Sequence, residues 1–126
     1  MKALLKNYKQ SPRKVRLVAD LIRGKSVAGA RSALSYLPKK STPAIGKLLD
    51  SAVANARGKG LSPENLFVKT ITVNKGAMLR RSRPFARGRA GAIRKTMSII
   101  ALELGTQSQM QKSKVKNQND GEKSKK

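Results

Sequence analysis

The stretch LFVKTITVNKGAMLRRSRPFARGRAGAIRKTMSIIALEL, residues 66–104, decides the fold. Its two ends, LFVKTITVN (66–74) and AIRKTMSIIALEL (92–104), are rich in β-branched residues, which favour strands. Between them lies KGAMLRRSRPFARGRAG (75–91), in which basic residues are mixed with small and apolar ones. The simplest interpretation is one long antiparallel hairpin over 66–104. The alternative is an unstructured basic loop over 75–91, which would be unusually long for a compact domain.

The length of this hairpin indicates that it projects from the rest of the chain. A strand from Leu66 to Ser82 would span about 55 Å at about 3.3 Å per residue, whereas a domain of about 100 residues has a radius of gyration of about 13 Å. A two-stranded ribbon that projects into water is marginally stable by itself. We therefore expect something outside the chain to support it.

Up to Leu102 the hairpin carries charge of a single sign. No Asp or Glu occurs between Asn65 and Leu102, and the whole chain has 29 Lys and Arg residues against 6 Asp and Glu, a formal net charge of +23. This charge predicts a polyanionic partner, for which RNA, DNA and an anionic membrane are the candidates. A membrane is disfavoured because the hairpin has no Trp or Tyr, and its only aromatic residues are Phe67 and Phe85.

The residues before the hairpin predict helices. Ser11 is a suitable N-cap and Pro12 a suitable first residue for a helix that ends before Gly24. Its inward face is formed by residues at helical spacing: Val15, Val18 and Ile22, with Leu17 and Leu21 widening the buried stripe. Residues 1–10 predict a short strand or an extended lead-in.

Two further helices follow after short connections. The first covers residues 26–37, ends at Pro38, and has as inward residues Val27, Ala30, Ala33, Leu34 and Leu37. The second is capped by Thr42, opened by Pro43 and closed by Gly58 or Gly60, and its inward residues are Ile45, Leu48, Leu49, Ala52, Val53 and Ala56. The predicted fold class is therefore α+β: a small three-helix body packed on an antiparallel sheet, with a long protruding basic β-hairpin and a basic disordered tail over 106–126.

The composition argues against a catalytic or metal site. The chain has no Cys, His or Trp, so thiolate and imidazole chemistry are excluded. The S-x-x-K spacing at residues 11–14 lacks its companion motifs, and Gly58-Lys59-Gly60 lacks the spacing of a phosphate-binding loop. We predict that the protein is not an enzyme and has no catalytic residue, metal ligand or cofactor.

Several separated motifs resemble, in order, those of a known family. SPRKVRLVADLIRGKSVAGARSALSYLPKK (11–40) is similar to its first two helices, and LLDSAVANA (48–56) to its third. Gly76, Pro84 and the run ARGRA (86–90) are similar to its hairpin tip. The family is bacterial-type large-subunit ribosomal protein L22, the universal uL22 family. The resemblance covers about residues 7–104 and implies one domain over 1–105, with a hairpin over about 66–104 and its tip at about 83–91.

The resemblance also implies partners. The body would lie on 23S ribosomal RNA near the exit of the nascent-chain tunnel, and the hairpin would pass through RNA to the tunnel wall. Its tip would lie near ribosomal protein L4 and the nascent polypeptide, in a region where changes in the family can alter the macrolide response. The implied location is cytoplasmic, on the ribosome, or the organelle stroma for a plastid-encoded chain. Neither a membrane partner nor a homo-oligomer is expected.

The residues expected to bind RNA are basic and occur on the body and the hairpin: Arg13, Lys14, Arg16, Arg23, Lys25, Lys39, Lys40, Arg57, Lys75, Arg80, Arg81, Arg83, Arg87, Arg89, Arg94 and Lys95. The tip that lines the tunnel would be Arg83, Pro84, Phe85, Ala86, Arg87, Gly88, Arg89, Ala90 and Gly91. Arginine suits this role because its guanidinium binds two phosphate oxygens at once and stacks on bases. Three positions depart from the family pattern, since Phe85, Ile99 and Ala77 stand where Arg, His and Pro are common.

A DNA-bending architectural protein is the alternative function. Such proteins also join helices to a basic β-ribbon, with Pro near the tip of the ribbon. They clamp a bent duplex as dimers, whereas the ordered motifs of this chain favour RNA.

Overall fold

The computed structural model describes residues 1–106, which form an α+β fold of the predicted class. The elements are strand β1 (Lys2–Tyr8), helices α1 (Pro12–Ile22), α2 (Val27–Ser35) and α3 (Thr42–Arg57), and strands β2 (Leu66–Pro84) and β3 (Ala90–Thr106). Single 3-10 turns at Pro63–Asn65 and Ala86–Gly88 precede β2 and β3. Apart from Thr106, the tail predicted over 106–126 lies outside the described residues.

The sheet is antiparallel, and β3 lies at its centre in the order β1-β3-β2. Alternate residues of β3, Ile100, Leu102 and Leu104, are buried in the core. Of the two alternatives for residues 1–10, the short strand is correct: Lys2–Tyr8 form β1, which pairs with β3 from Lys2 opposite Glu103 to Tyr8 opposite Ser98.

Helix α1 begins where predicted, but its buried stripe is narrower than expected. Ser11 occupies the N-cap position, although its side chain makes no capping hydrogen bond. The prediction that Leu17 and Leu21 are buried is wrong, since they are 66% and 37% exposed. The positions that face the core follow the i, i+3, i+4, i+7 pattern and are filled by Val15, Val18, Ala19 and Ile22.

Helices α2 and α3 differ from the predictions mainly at their ends. Helix α2 begins after Ser26, whose side chain accepts a hydrogen bond from the Gly29 amide at 3.2 Å. It ends at Ser35, two residues before the predicted end, and of its predicted inward residues Ala33 and Leu37 are half-buried. In α3 the predicted cap Thr42 is the first helical residue, and its hydroxyl donates to the Leu37 carbonyl at 3.1 Å. All six predicted inward residues of α3 are buried.

The single hairpin is confirmed, and the loop alternative for residues 75–91 is wrong. Apart from two register shifts, strands β2 and β3 pair from Leu66 opposite Thr106 to Pro84 opposite Ala90. Strand β2 continues ten residues beyond the β-branched run that predicted it, and β3 extends its run by two residues at each end. They do so because the ladder is built from backbone N–H and C=O groups, which every non-proline residue supplies.

Only the outer part of the hairpin leaves the body. The β2 residues Ile71 and Val73 belong to the buried core, and so do Ile100, Leu102 and Leu104 of β3. Strand β1 ends opposite Ser98, and a bulge then sets Gly76 and Ala77 against Met97. We call the two-stranded part from this point outward, residues 75–98, the ribbon. From Lys75 to Pro84 it spans about 30 Å at about 3.3 Å per residue, so about half of the strand predicted to span about 55 Å projects from the body.

Candidate nucleic-acid interface

The ribbon is an exposed cationic element. Every residue of 79–95 is exposed except Gly91, which is half-buried. The ribbon has no Asp or Glu, and its cations are Lys75, Arg80, Arg81, Arg83, Arg87, Arg89, Arg94 and Lys95. Within residues 1–106 the only ion pairs are Arg23–Asp20 and Arg31–Asp50, so no ribbon cation has an acidic partner there. The mutual repulsion of these cations is relieved when an external anion neutralises them.

The two faces of the ribbon differ in chemistry. Residues directly opposite each other share a face, and successive residues alternate between faces. One face carries the pairs Arg80–Arg94, Ser82–Ala92 and Pro84–Ala90, so it is basic with small neighbouring side chains. The other carries Leu79–Lys95, Arg81–Ile93 and Arg83–Gly91, and it holds two exposed aliphatic side chains, Leu79 and Ile93.

The tip is a five-residue turn, 85–89, closed by a hydrogen bond from the Phe85 amide to the Arg89 carbonyl at 2.7 Å. Arg87 and Gly88 both have left-handed backbone angles, with φ of 60° and 69°. A glycine adopts this geometry without strain, whereas at Arg87 it costs about 1–2 kcal/mol. The Phe85 ring covers Gly91, where a Cβ atom would overlap the ring, so a residue of the tip itself makes a close contact with the Gly91 backbone.

Two arginines expected to bind phosphate also fasten α1 to the sheet. The Nε and Nη2 atoms of Arg16 both donate to the Val73 carbonyl, at 3.1 and 3.0 Å. Arg23 donates to the Ile71 carbonyl at 3.2 Å and forms an ion pair with Asp20 at 3.0 Å. Each guanidinium has five N–H groups, so both keep donors for an external partner.

The remaining body cations are spread over both ends of the molecule. Arg13 and Lys14 are exposed on the first turn of α1, and Lys39 and Lys40 are exposed just before α3. Arg57 ends α3, a helix of 16 residues and about 24 Å, so it lies far from the ribbon. The carbonyl of Lys25 accepts a hydrogen bond from the Val68 amide at 2.9 Å, which joins the α1–α2 link to the outer edge of β2.

The fold brings three of the predicted cations together. Lys14, Lys40 and Lys95 are distant in sequence, yet they line one cleft at the root of the ribbon. The same cleft includes Lys9, which is not among the predicted RNA-binding residues. The signal available was the local density of cations, since Lys6, Lys9, Arg13 and Lys14 surround the start of α1.

Residues 1–106 contain no cluster of three or more Asp and Glu side chains that could hold a metal ion. None of the helices in this part of the chain is long and apolar enough to cross a membrane. What the described surface does offer is positive charge on an extended scaffold. That arrangement suits the binding of phosphate groups.

Comparison with known proteins identifies the family. The sequence model described as ribosomal protein L22p/L17e matches residues 3–105. The chain belongs to this family. Among its relatives, the large ribosomal subunit protein uL22 of Herpetosiphon aurantiacus is 51% identical over 102 residues, which cover 80% of this chain and 90% of the relative.

Two further relatives agree. The uL22 protein of Citrifermentans bemidjiense is 52% identical over 103 residues, covering 81% of this chain and 93% of the relative. That of Onion yellows phytoplasma is 43% identical over 118 residues, covering 93% and 92%. The family resemblance predicted from residues 11–40, 48–56 and 76–90 is thus confirmed, and the chain is a ribosomal protein of the bacterial uL22 type.

Proposed function

We propose that the chain is a structural constituent of the large ribosomal subunit that binds 23S rRNA and aids assembly of the subunit. Its location would be cytoplasmic, on the ribosome. The observation that carries this proposal is the ribbon, which is exposed on both faces and lacks any acidic partner within residues 1–106. Folded RNA supplies both things that such an element needs, namely negative charge and walls on either side.

The two faces of the ribbon suit different parts of an RNA. On the face with Arg80 and Arg94 the pairs toward the tip, Ser82–Ala92 and Pro84–Ala90, are small, which would let a sugar-phosphate backbone approach closely there. The other face mixes Arg81 and Arg83 with Leu79 and Ile93, a combination that packs and stacks against exposed bases. The ribbon would thereby hold two RNA segments at a fixed separation.

The tip, residues 83–91, is proposed to reach the wall of the nascent-polypeptide tunnel, beside protein L4. Support comes from family membership and from the shape of the tip, a closed turn in which the exposed Arg87, Arg89 and Phe85 stand farthest from the body. Phe85 is 66% exposed, and its ring is held over Gly91. A closed tip of this kind would present a defined surface to the passing chain.

The body would supply a second set of phosphate contacts. Its candidates are the exposed cations of the first turn of α1 and of the links between helices: Arg13, Lys14, Arg16, Arg23, Lys25, Lys39 and Lys40, with Arg57 at the far end of α3. Because each neutralised phosphate releases counterions, the affinity for RNA should fall steeply with salt.

Sedimentation of a lysate tests the proposal against DNA binding. The chain should travel with large ribosomal subunits, and travel with nucleoid DNA would refute the proposal.

A paired variant tests the division between tip and body. Arg87→Ala with Arg89→Ala should disturb chemical footprints of 23S rRNA at the tunnel wall and leave attachment to the subunit intact. Arg13→Ala with Lys14→Ala should weaken attachment, and equal loss with both pairs would contradict the division.

A further inference from the structure

A cleft of about 410 Å³ lies at the root of the ribbon, where the ribbon meets the helical body. Four lysines line it, each from a different part of the chain: Lys9 from the β1–α1 link, Lys14 from α1, Lys40 from the α2–α3 link and Lys95 from β3. Leu79 and Met97 contribute to its wall. We refer to it as the lysine cleft.

The positive charge of the lysine cleft is not balanced by the described part of the chain. No Asp or Glu lines the cleft, and neither of the two ion pairs within residues 1–106 involves one of its lysines. Ser11, at the N-cap of α1, also lines it, so the positive end of the dipole of this 11-residue helix adds to the field. Four lysine side chains that line one cleft raise the positive potential there, which favours the entry of an anion.

Hydrogen bonds hold the backbone around the lysine cleft in place. The buried Ser98 hydroxyl donates to the Gln10 carbonyl, which joins the β1–α1 link to β3. The Tyr8 hydroxyl donates to the Lys40 carbonyl at 3.1 Å, which joins β1 to the α2–α3 link. The segments that carry Lys9, Lys40 and Lys95 are therefore fixed relative to one another before any ligand arrives.

We propose that the lysine cleft binds backbone phosphate of an RNA strand, and that Lys9 is a phosphate-binding residue together with Lys14, Lys40 and Lys95. Lysines act as point charges on flexible stems, so the cleft would hold the backbone without reading the bases. This inference rests on the proposed function and adds a position to it: the RNA is gripped where the ribbon leaves the body. A strand held there is fixed at the base of the ribbon as well as along its faces.

The test compares two pairs of neutralised lysines in the full chain, with a 23S rRNA transcript as the probe. Lys9→Gln with Lys40→Gln removes two charges from the lysine cleft. The matched control, Lys2→Gln with Lys59→Gln, removes two charges at the opposite end of the body, where both residues line a hollow of about 620 Å³. Both pairs change the net charge equally, so a difference in RNA affinity between them shows that the location of the removed charges matters.

Counterion release sets the expected size of the effect. With about 0.7–0.9 ions released per contact, each contact is worth about five- to eightfold at about 0.1 M salt, and two contacts about 25- to 60-fold. The slope of log affinity against log salt should also decrease by about 1.5. The control pair should change affinity by less than about threefold. If both pairs weaken RNA binding equally, the proposal that the lysine cleft binds phosphate is wrong.

Further arms separate the possible failures. If the wild-type chain binds duplex DNA as tightly as the 23S transcript, the proposed function itself fails. If the lysine-cleft pair binds the transcript normally yet does not enter the subunit, an acidic protein segment occupies the cleft and this inference is wrong. Lys9→Arg with Lys40→Arg guards against misfolding, because it keeps the charge and should bind within about twofold of wild type. Loss of binding by this charged pair would also count against the inference.

Discussion

Arg80 and Arg94 lie directly opposite each other in the ribbon, and reversing one of these charges should change stability and RNA binding in opposite directions. Like charges in directly opposite positions destabilise a sheet, and opposite charges stabilise it, each by about 0.2–1 kcal/mol. Arg94→Glu replaces the repulsion between two like charges by the attraction between two opposite charges. The expected gain in the stability of the ribbon is therefore about 1 kcal/mol, or about fivefold in the equilibrium for local opening.

RNA binding should respond with the opposite sign. The same substitution removes one cation and adds one anion on the face of small residues, a change of two charges. At about 0.1 M salt this should weaken the affinity for a 23S transcript by about 25- to 60-fold. Arg94→Gln, which removes the cation alone, should lie about midway on a logarithmic scale. In the free chain, a ribbon with positive charges only would thus be less stable than a ribbon with charges of both signs. The positive charges instead favour binding to an anionic partner.

Amide hydrogen exchange of the free chain measures the first effect, and filter binding at several salt concentrations measures the second. Exchange at residues 79–95 should slow about fivefold in Arg94→Glu. Arg80→Glu should give the same gain, because the cross-strand pair is merely swapped. The double reversal should lose the gain, since two like charges face each other again. Equal protection in the single and double reversals would refute the reasoning, and so would tighter RNA binding by either single variant.

Three further predictions concern the fold. Ser98→Ala leaves the Gln10 carbonyl without its hydroxyl donor and should lower the free energy of unfolding by about 1–3 kcal/mol in denaturant titrations; an unchanged midpoint would contradict this. Gly91→Ala forces the Phe85 ring from its place, so it should abolish the ring-current shift at residue 91 and destabilise the tip, and it should cost nothing further in a Phe85→Ala background, where the ring contact is already absent. Burial raises the pKa of Tyr8 above its ordinary value of 10.0, which favours the neutral phenol in the folded state. Stability contributed by Tyr8 is present below that value and is lost as the pH rises through the folded-state pKa, so Tyr8→Phe should flatten the loss of stability above it.

Local patterns predicted the helices well because their causes are local. In α3 the buried residues follow a 3.6-residue period, and Pro43 and Gly58 mark its ends, so each feature lies within one element. The width of the buried stripe in α1 was not predictable in the same way. Leu17 is apolar but exposed, because no other element of the described fold covers that side of the helix, and the sequence does not record which side is covered.

Features that depend on distant segments were harder to predict. The outer part of β2 is polar and exposed, so side-chain periodicity does not distinguish it from a loop; backbone pairing with β3 makes it a strand. The lysine cleft is formed by segments as far apart as Lys9 and Lys95, and only the topology places them together. The chemistry of the candidate interface was therefore evident from the sequence, whereas its grouping into faces, tip and cleft required the fold.

The early end of β1 leaves the ribbon with two exposed strand edges, since within residues 1–106 no third strand pairs with β2 or β3 between Lys75 and Ser98. Exposed strand edges of this kind can pair with the edge of a second copy of the chain, and this pairing starts aggregation. In a newly made chain the arginines of the ribbon should oppose this pairing, because two like-charged ribbons repel each other at short range. A short polyanion that neutralises the ribbon without enclosing it should therefore make the free protein precipitate, whereas a complete RNA surface keeps it dispersed.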